Sequence, residues 1–142
     1  MMIEALQLEP HPEGGFYRQI YKSPMTVVQG DRTRAALTII HFLLPAGQVS
    51  RWHRVTSDEV WTFLRGEPLR LHRFDGSNAS DVVLDAHNAI AVVRAGEWQA
   101  AEPLGAYALV ACFVAPGFEF DDFAMMPDET AAKLPEQLRR LV

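Results

Sequence analysis

The feature that most constrains this chain is its punctuation. Glycine and proline recur along it at Pro24, Gly30, Pro45 with Gly47, Gly66, Gly76, Gly96, Pro103 with Gly105, and Pro116 with Gly117. Residues of these two types interrupt helices and supply turns, so the segments between them have the length of strands rather than of long helices. Those segments are Ala35–Leu44, Val49–Arg54, Glu59–Arg65, Leu69–Phe74, Val82–Leu84, Ala89–Val93 and Ala106–Val114. They are rich in β-branched and aromatic residues and show no sustained 3.6-residue period, which predicts strands throughout. Two more strands are expected near Phe16–Tyr21 and Thr26–Val28. Only the ends read as helical. A turn or two is expected at Ile3–Leu8, and a C-terminal helix over Asp128–Val142, with Asp128 placed to cap it, Leu134, Leu138 and Leu141 on one side and Pro135 splitting it in two.

So many short strands imply an all-β sandwich or barrel, a jelly roll above all, because closing the sheet removes exposed edges. At 142 residues the chain has room for a single domain over 1–142. Ala35–Leu44 and Ala106–Val114 are apolar on both alternating faces, which suits strands covered on both sides and points to a homodimer.

Charge and composition exclude several functional classes. Lys and Arg number 13 against 18 Asp and Glu, giving a net charge of −5, and no basic run exceeds Arg139-Arg140. Nucleic acid is therefore not an expected partner. The most apolar stretch, Ala106–Ala115, is about half of what a membrane-spanning helix needs, and Met1-Met2-Ile3-Glu4 has no charged region leading into an apolar one, so a cytoplasmic location without a membrane partner is expected. Cys112 is the single cysteine and reads as a small buried hydrophobe.

One stretch carries a spaced set of chemically active residues. Gly47, His53, Glu59 and Gly66 stand at four of the five fixed positions of the pattern G-x5-H-x-H-x3-E-x6-G, and Val55 occupies the fifth. This spacing resembles the first motif of the cupins. Downstream, Arg94-Ala95-Gly96-Glu97-Trp98-Gln99 is similar to their second motif, with Gln99 where a histidine would stand. His11-Pro12-Glu13-Gly14-Gly15-Phe16-Tyr17-Arg18, Trp52-His53-Arg54-Val55, Ser57-Asp58-Glu59-Val60-Trp61 and Ala115-Pro116-Gly117-Phe118 resemble the cupin 5 subgroup, itself distantly similar to dTDP-sugar epimerases. The resemblance implies a double-stranded β-helix, a homodimer and a small-molecule pocket in the barrel mouth.

Residues two apart in a strand share a face, so His53, Val55, Glu59, Trp61 and Phe63 are expected to face one lumen. In metal-binding cupins the corresponding histidines and glutamate converge on a divalent cation. Here Val55 offers no donor, so no cofactor is expected; if a divalent metal binds, His53, Glu59 and Gln99 are its ligands. Without a metal, His53 and Glu59 form a candidate catalytic acid–base pair, either of which can be the base. They can equally be hydrogen-bonded remnants of a lost metal site.

Candidate ligand contacts are Trp61, Phe63 and Gln99 with Glu13, Arg18 and His72. Arg18 suits a phosphate or carboxylate, and aromatic walls suit a sugar or a planar ligand. Trp52 should point away from His53 by alternation, while Glu13-Gly14-Gly15 marks a tight turn. His41 reads as a core or interface residue, and His11 and His87 as loop residues. The leading functional reading is a metal-independent isomerase or epimerase of a carbohydrate-like small molecule. A non-catalytic ligand-binding cupin and a metal-dependent oxygenase-type cupin are the alternatives.

Overall fold

A computed structural model describes all 142 residues. In chain order its strands are β1 (Glu9–Pro10), β2 (Phe16–Lys22), β3 (Thr26–Gln29), β4 (Arg32–Ala35), β5 (Thr38–Pro45), β6 (Ser50–Val55) and β7 (Asp58–Gly66). There follow β8 (Leu69–Phe74), β9 (Ala79–Leu84), β10 (Ile90–Val93), β11 (Trp98–Pro103), β12 (Tyr107–Ala115) and β13 (Phe123–Met125). Two short helices, α1 (Met2–Ala5) and α2 (Asp128–Ala131), lie near the ends, together with 3-10 turns at Phe120–Asp122 and Glu136–Leu141. None of these helices is long and apolar enough to cross a membrane.

The strands form a six-stranded sheet in the order β1-β2-β5-β12-β7-β10 and a five-stranded sheet in the order β13-β6-β11-β8-β9. β3 and β4 make a separate hairpin. All pairings are antiparallel, and the two main sheets face one another as a double-stranded β-helix.

Alternation along the strands builds three apolar layers. Between the sheets lie Phe42, Leu44, Trp61, Leu69, Leu71, Leu84 and Val110. Behind the five-stranded sheet, Trp52, Phe74, Trp98 and Ala100 pack against Met126, Leu134 and Leu141 of the C-terminal segment. Behind the six-stranded sheet, Leu43 and Leu109 meet Leu8, Ile3 and Leu6 of the N-terminal segment. That last layer accounts, within one chain, for part of the double apolar character of β5 and β12.

The expected strands are present, with corrections at their edges. The Ala35–Leu44 run breaks at Ala36 and Leu37, so Ala35 ends β4 and β5 begins at Thr38. β11, which begins inside the Arg94–Gln99 motif, lies between β6 and β8. Pro127, not Asp128, occupies the N-cap of α2. Pro135 does split the tail, and Leu134 and Leu141 are buried.

Candidate active site

Three elements bring four titratable side chains into one cavity of about 270 Å³ between the sheets. Glu13 and His11 arrive on the loop before β2. The loop hugs the sheets because Gly14 and Gly15 both take positive φ, at 112° and 71°. A Cβ on Gly14 would collide with the Val49 carbonyl, and one on Gly15 would lie 2.8 Å from that of Leu43. His53 arrives on β6 and Glu59 on β7.

A bulge aims the β6 side chains. His53 pairs with Gln99 and Ser50 with Ala101, so Arg51 and Trp52 on β6 together oppose the single Ala100 on β11. Ser50 and His53 therefore both reach Glu13, while Trp52 turns into the opposite layer and donates to the Leu138 carbonyl at 2.9 Å.

The polar contacts are specific. His53 Nδ1 lies 2.7 Å from the Arg51 carbonyl, which accepts its proton and leaves Nε2 as the lone-pair nitrogen in the neutral ring. That Nε2 is 3.4 Å from Glu13 Oε2. His11 Nδ1 accepts the Glu13 backbone N–H at 3.1 Å and stands 3.3 Å from Glu13 Oε1. Ser50 Oγ donates to Glu13 Oε2. The Glu13 carboxyl thus lies between two acceptor nitrogens, an arrangement that favours a carboxyl keeping its proton.

Burial drives the protonation states. Desolvation raises Glu13 to about 8, against the bonds from Ser50 and the more distant Arg51 charge. It raises Glu59 to about 7, against the pull of His53. It lowers His11 to about 3, and lowers His53 despite Glu59 nearby. At neutral pH both imidazoles are uncharged, Glu13 is mostly an acid, and Glu59 is divided between acid and carboxylate.

Of the residues singled out from sequence, Glu13, His53 and Glu59 meet at the cavity. Gln99 sits directly behind it: its Nε2 donates to Glu59 Oε1 at 2.9 Å, and its Oε1 accepts from Trp61 Nε1 at 2.7 Å. Trp61 is buried in the inter-sheet core, edge-on to Phe42, and Phe63 packs against the same core, so neither forms the wall.

Two expected contacts are elsewhere. Tyr17 and Gln19 face the cavity, so Arg18 between them points to the outer side of the six-stranded sheet. Leu69 and Leu71 point into the inter-sheet core, so His72 faces the other layer, where it bonds Glu102 at 2.8 Å beneath Arg140.

Sequence reading missed much of the wall. Tyr17, Phe118, Phe120 and Phe123 supply aromatic rings, with Phe123 stacked on His53 at 5.4 Å. His11, read as a loop residue, is buried against Tyr17 at 4.5 Å. The recurring phenylalanines after Pro116 were the available signal, being costly to leave in water.

The motif positions that would hold a divalent metal are only partly supplied with free donors. Val55 lines the cavity and has no donor atom, and the Gln99 oxygen is already taken by Trp61. No three His, Cys, Asp or Glu side chains gather at metal-holding spacing.

Comparisons with known proteins agree with this architecture. The family model described as "Cupin superfamily (DUF985)" matches residues 1–126. A hypothetical protein from Leishmania major is 29% identical with a TM-score of 0.87, the match covering 98% of this chain and 93% of that one. A protein from Shewanella oneidensis is 32% identical with a TM-score of 0.83, covering 99% and 91%. Oxalate decarboxylase from Bacillus subtilis, 15% identical with a TM-score of 0.63 over 91% of this chain and 32% of that one, is similar in fold alone. No curated protein matches the sequence.

Proposed function

The chain belongs to the cupin superfamily (DUF985), and from that premise we propose that its cavity binds a small carbohydrate-like carbonyl compound and isomerises or epimerises it by metal-independent proton transfer. The observation that carries this reading is the placement of two carboxyl groups, Glu13 and Glu59, in one buried cavity with a neutral imidazole, His53. Buried carboxyls with unequal raised values divide into an acid and a base near neutral pH.

Glu59 is the base of this scheme. Gln99 fixes its Oε1, and a value of about 7 makes the carboxylate both available and strongly basic for its type. Glu13 and His53 hold the proton that goes to the substrate oxygen. In the forward step the carbon next to the carbonyl gives its proton to Glu59. The C–H electron pair becomes the C=C bond of an enediol, and the carbonyl oxygen takes the proton held between Glu13 and His53. Return of the Glu59 proton to the former carbonyl carbon, while the hydroxyl on the original carbon gives its proton back to Glu13 and becomes the new carbonyl, isomerises the substrate. If instead the first enol hydroxyl returns its proton to Glu13 and that proton is delivered to the opposite face of the original carbon, the substrate is epimerised, and Glu59 and Glu13 regain their starting protonation by exchange with water.

Incubation of the protein with aldoses and ketoses in D₂O, followed by NMR, tests this reading. Deuterium is expected at the carbon next to the carbonyl, and incorporation is expected to fail in Glu59→Gln. A sugar that raises the melting temperature without exchanging that hydrogen would make the protein a binding cupin only. No exchange in any aldose or ketose contradicts the proposal.

A further inference from the structure

The charge of the cavity wall bears on what enters it. Three carboxyl groups line it, Glu13, Glu59 and, at the rim, Glu119, and no lysine or arginine does. Every guanidinium nearby is held by other groups. Arg51 reaches the main-chain carbonyls of Pro12 and Glu13. Arg32 pairs with Glu119 at 2.9 Å and with Asp122. Arg34 is buried on Gln29, Ser57 and the Gly117 carbonyl, with Asp122 at 3.2 Å. Arg18 is on the far side of its sheet.

A phosphate or carboxylate entering this cavity would lose its hydration, find no cation, and lie against Glu13 and Glu59, which ionise near neutral pH. A neutral polyhydroxylated ligand meets no such penalty. The uncharged imidazoles and carboxyl oxygens offer it donors and acceptors, and the rings of Tyr17, Phe118, Phe120 and Phe123 suit the C–H faces of a sugar ring. We propose that the site takes uncharged, unphosphorylated carbohydrate-like molecules and rejects their phosphorylated or nucleotide-linked counterparts. The inference rests on the reading of this cavity as the site, and not on turnover.

The test is calorimetric titration of the full chain with free aldoses and ketoses, their matched phosphates and a sugar nucleotide. At least one free sugar is expected to bind, with its phosphate weaker by at least ~10-fold. A second variant sharpens this: Gln19→Arg places a cation on an exposed part of the wall and is expected to recover phosphate binding by about that factor. Phosphates that bind the unsubstituted chain as tightly as free sugars, or a panel in which no free sugar binds, would overturn the inference. The two proposals fail separately: binding of free sugars without hydrogen exchange removes only the catalysis, and exchange confined to sugar phosphates removes only the charge preference.

Discussion

His53 and His72 stand on strands of the same five-stranded sheet, and each faces a glutamate from another segment, Glu13 at 3.4 Å and Glu102 at 2.8 Å. The third partner separates them. Arg140 grips Glu102 through two hydrogen bonds of 3.0 and 2.8 Å, and that contact holds the carboxyl below its usual value. Glu13 has no guanidinium on its carboxyl, and burial pushes it up to about 8. The same two residue types thus make an ionised clasp on the outer face and a proton-holding site on the inner one. Neighbouring charge and water, rather than residue identity, decide which results.

Breaking each pair should have unlike consequences. Glu59→Gln and Glu13→Gln are expected to lower the rate of hydrogen exchange by ~10²–10⁴-fold, while Glu102→Gln leaves it unchanged; matched exchange rates by NMR check this. The rate for the unsubstituted chain is expected to peak between pH 7 and 8, where Glu59 is ionised and Glu13 still protonated.

Trp52 backs the outer layer, with its ring 6.2 Å from that of His72. Trp52→Ala is expected to cost ~3–5 kcal/mol in denaturant unfolding, since the deleted ring is fully buried and also loses its bond to Leu138.

The inner carboxyls should leave a mark on stability against pH. Between the ordinary carboxyl value of 4.5 and the folded values of about 7 and 8, the native state keeps protons that the unfolded chain has released. Stability from these groups therefore falls as pH rises. The lowered values of His11 and His53 act in the opposite sense below 6.5, where the unfolded imidazoles take up protons. The two effects offset one another up to about pH 6.5, and the carboxyls act alone above it. Stability is expected to decline from pH 6.5 to 8, and Glu13→Gln to reduce that decline by ~2 kcal/mol; unfolding curves across this range decide it. Arg140→Ala is the smallest expected change, ~1 kcal/mol or less and fading at high salt, because the clasp is exposed on its arginine side.

The contrast between the two histidines also shows what the sequence could and could not tell. The strand pattern and the Gly47–His53–Glu59–Gly66 spacing were legible because both depend on short-range periodicity. The side that His72 faces was legible in principle, since Leu69 and Leu71 set the phase of their strand, but proximity to the motif suggested the opposite. The side of Arg18 was not, because β2 reads Phe-Tyr-Arg-Gln-Ile-Tyr-Lys, in apolar and polar pairs rather than alternation, and with a bulge after Gln19 it carries no clear phase. His11 and Phe123 lie far from the motif in the chain. They reach it through a glycine turn and through pairing of β13 with β6, contacts that no local pattern encodes.

The proposed chemistry depends most on the protonation of the inner carboxyls. A carbon-13 NMR titration of glutamate-labelled protein, with Glu13→Gln and Glu59→Gln to assign the signals, observes it directly. Two carboxyls are expected to titrate as a coupled pair near 7 and 8, with Glu102 below the ordinary range. Two inner carboxyls that titrate near 4.5, as exposed glutamates do, would contradict it.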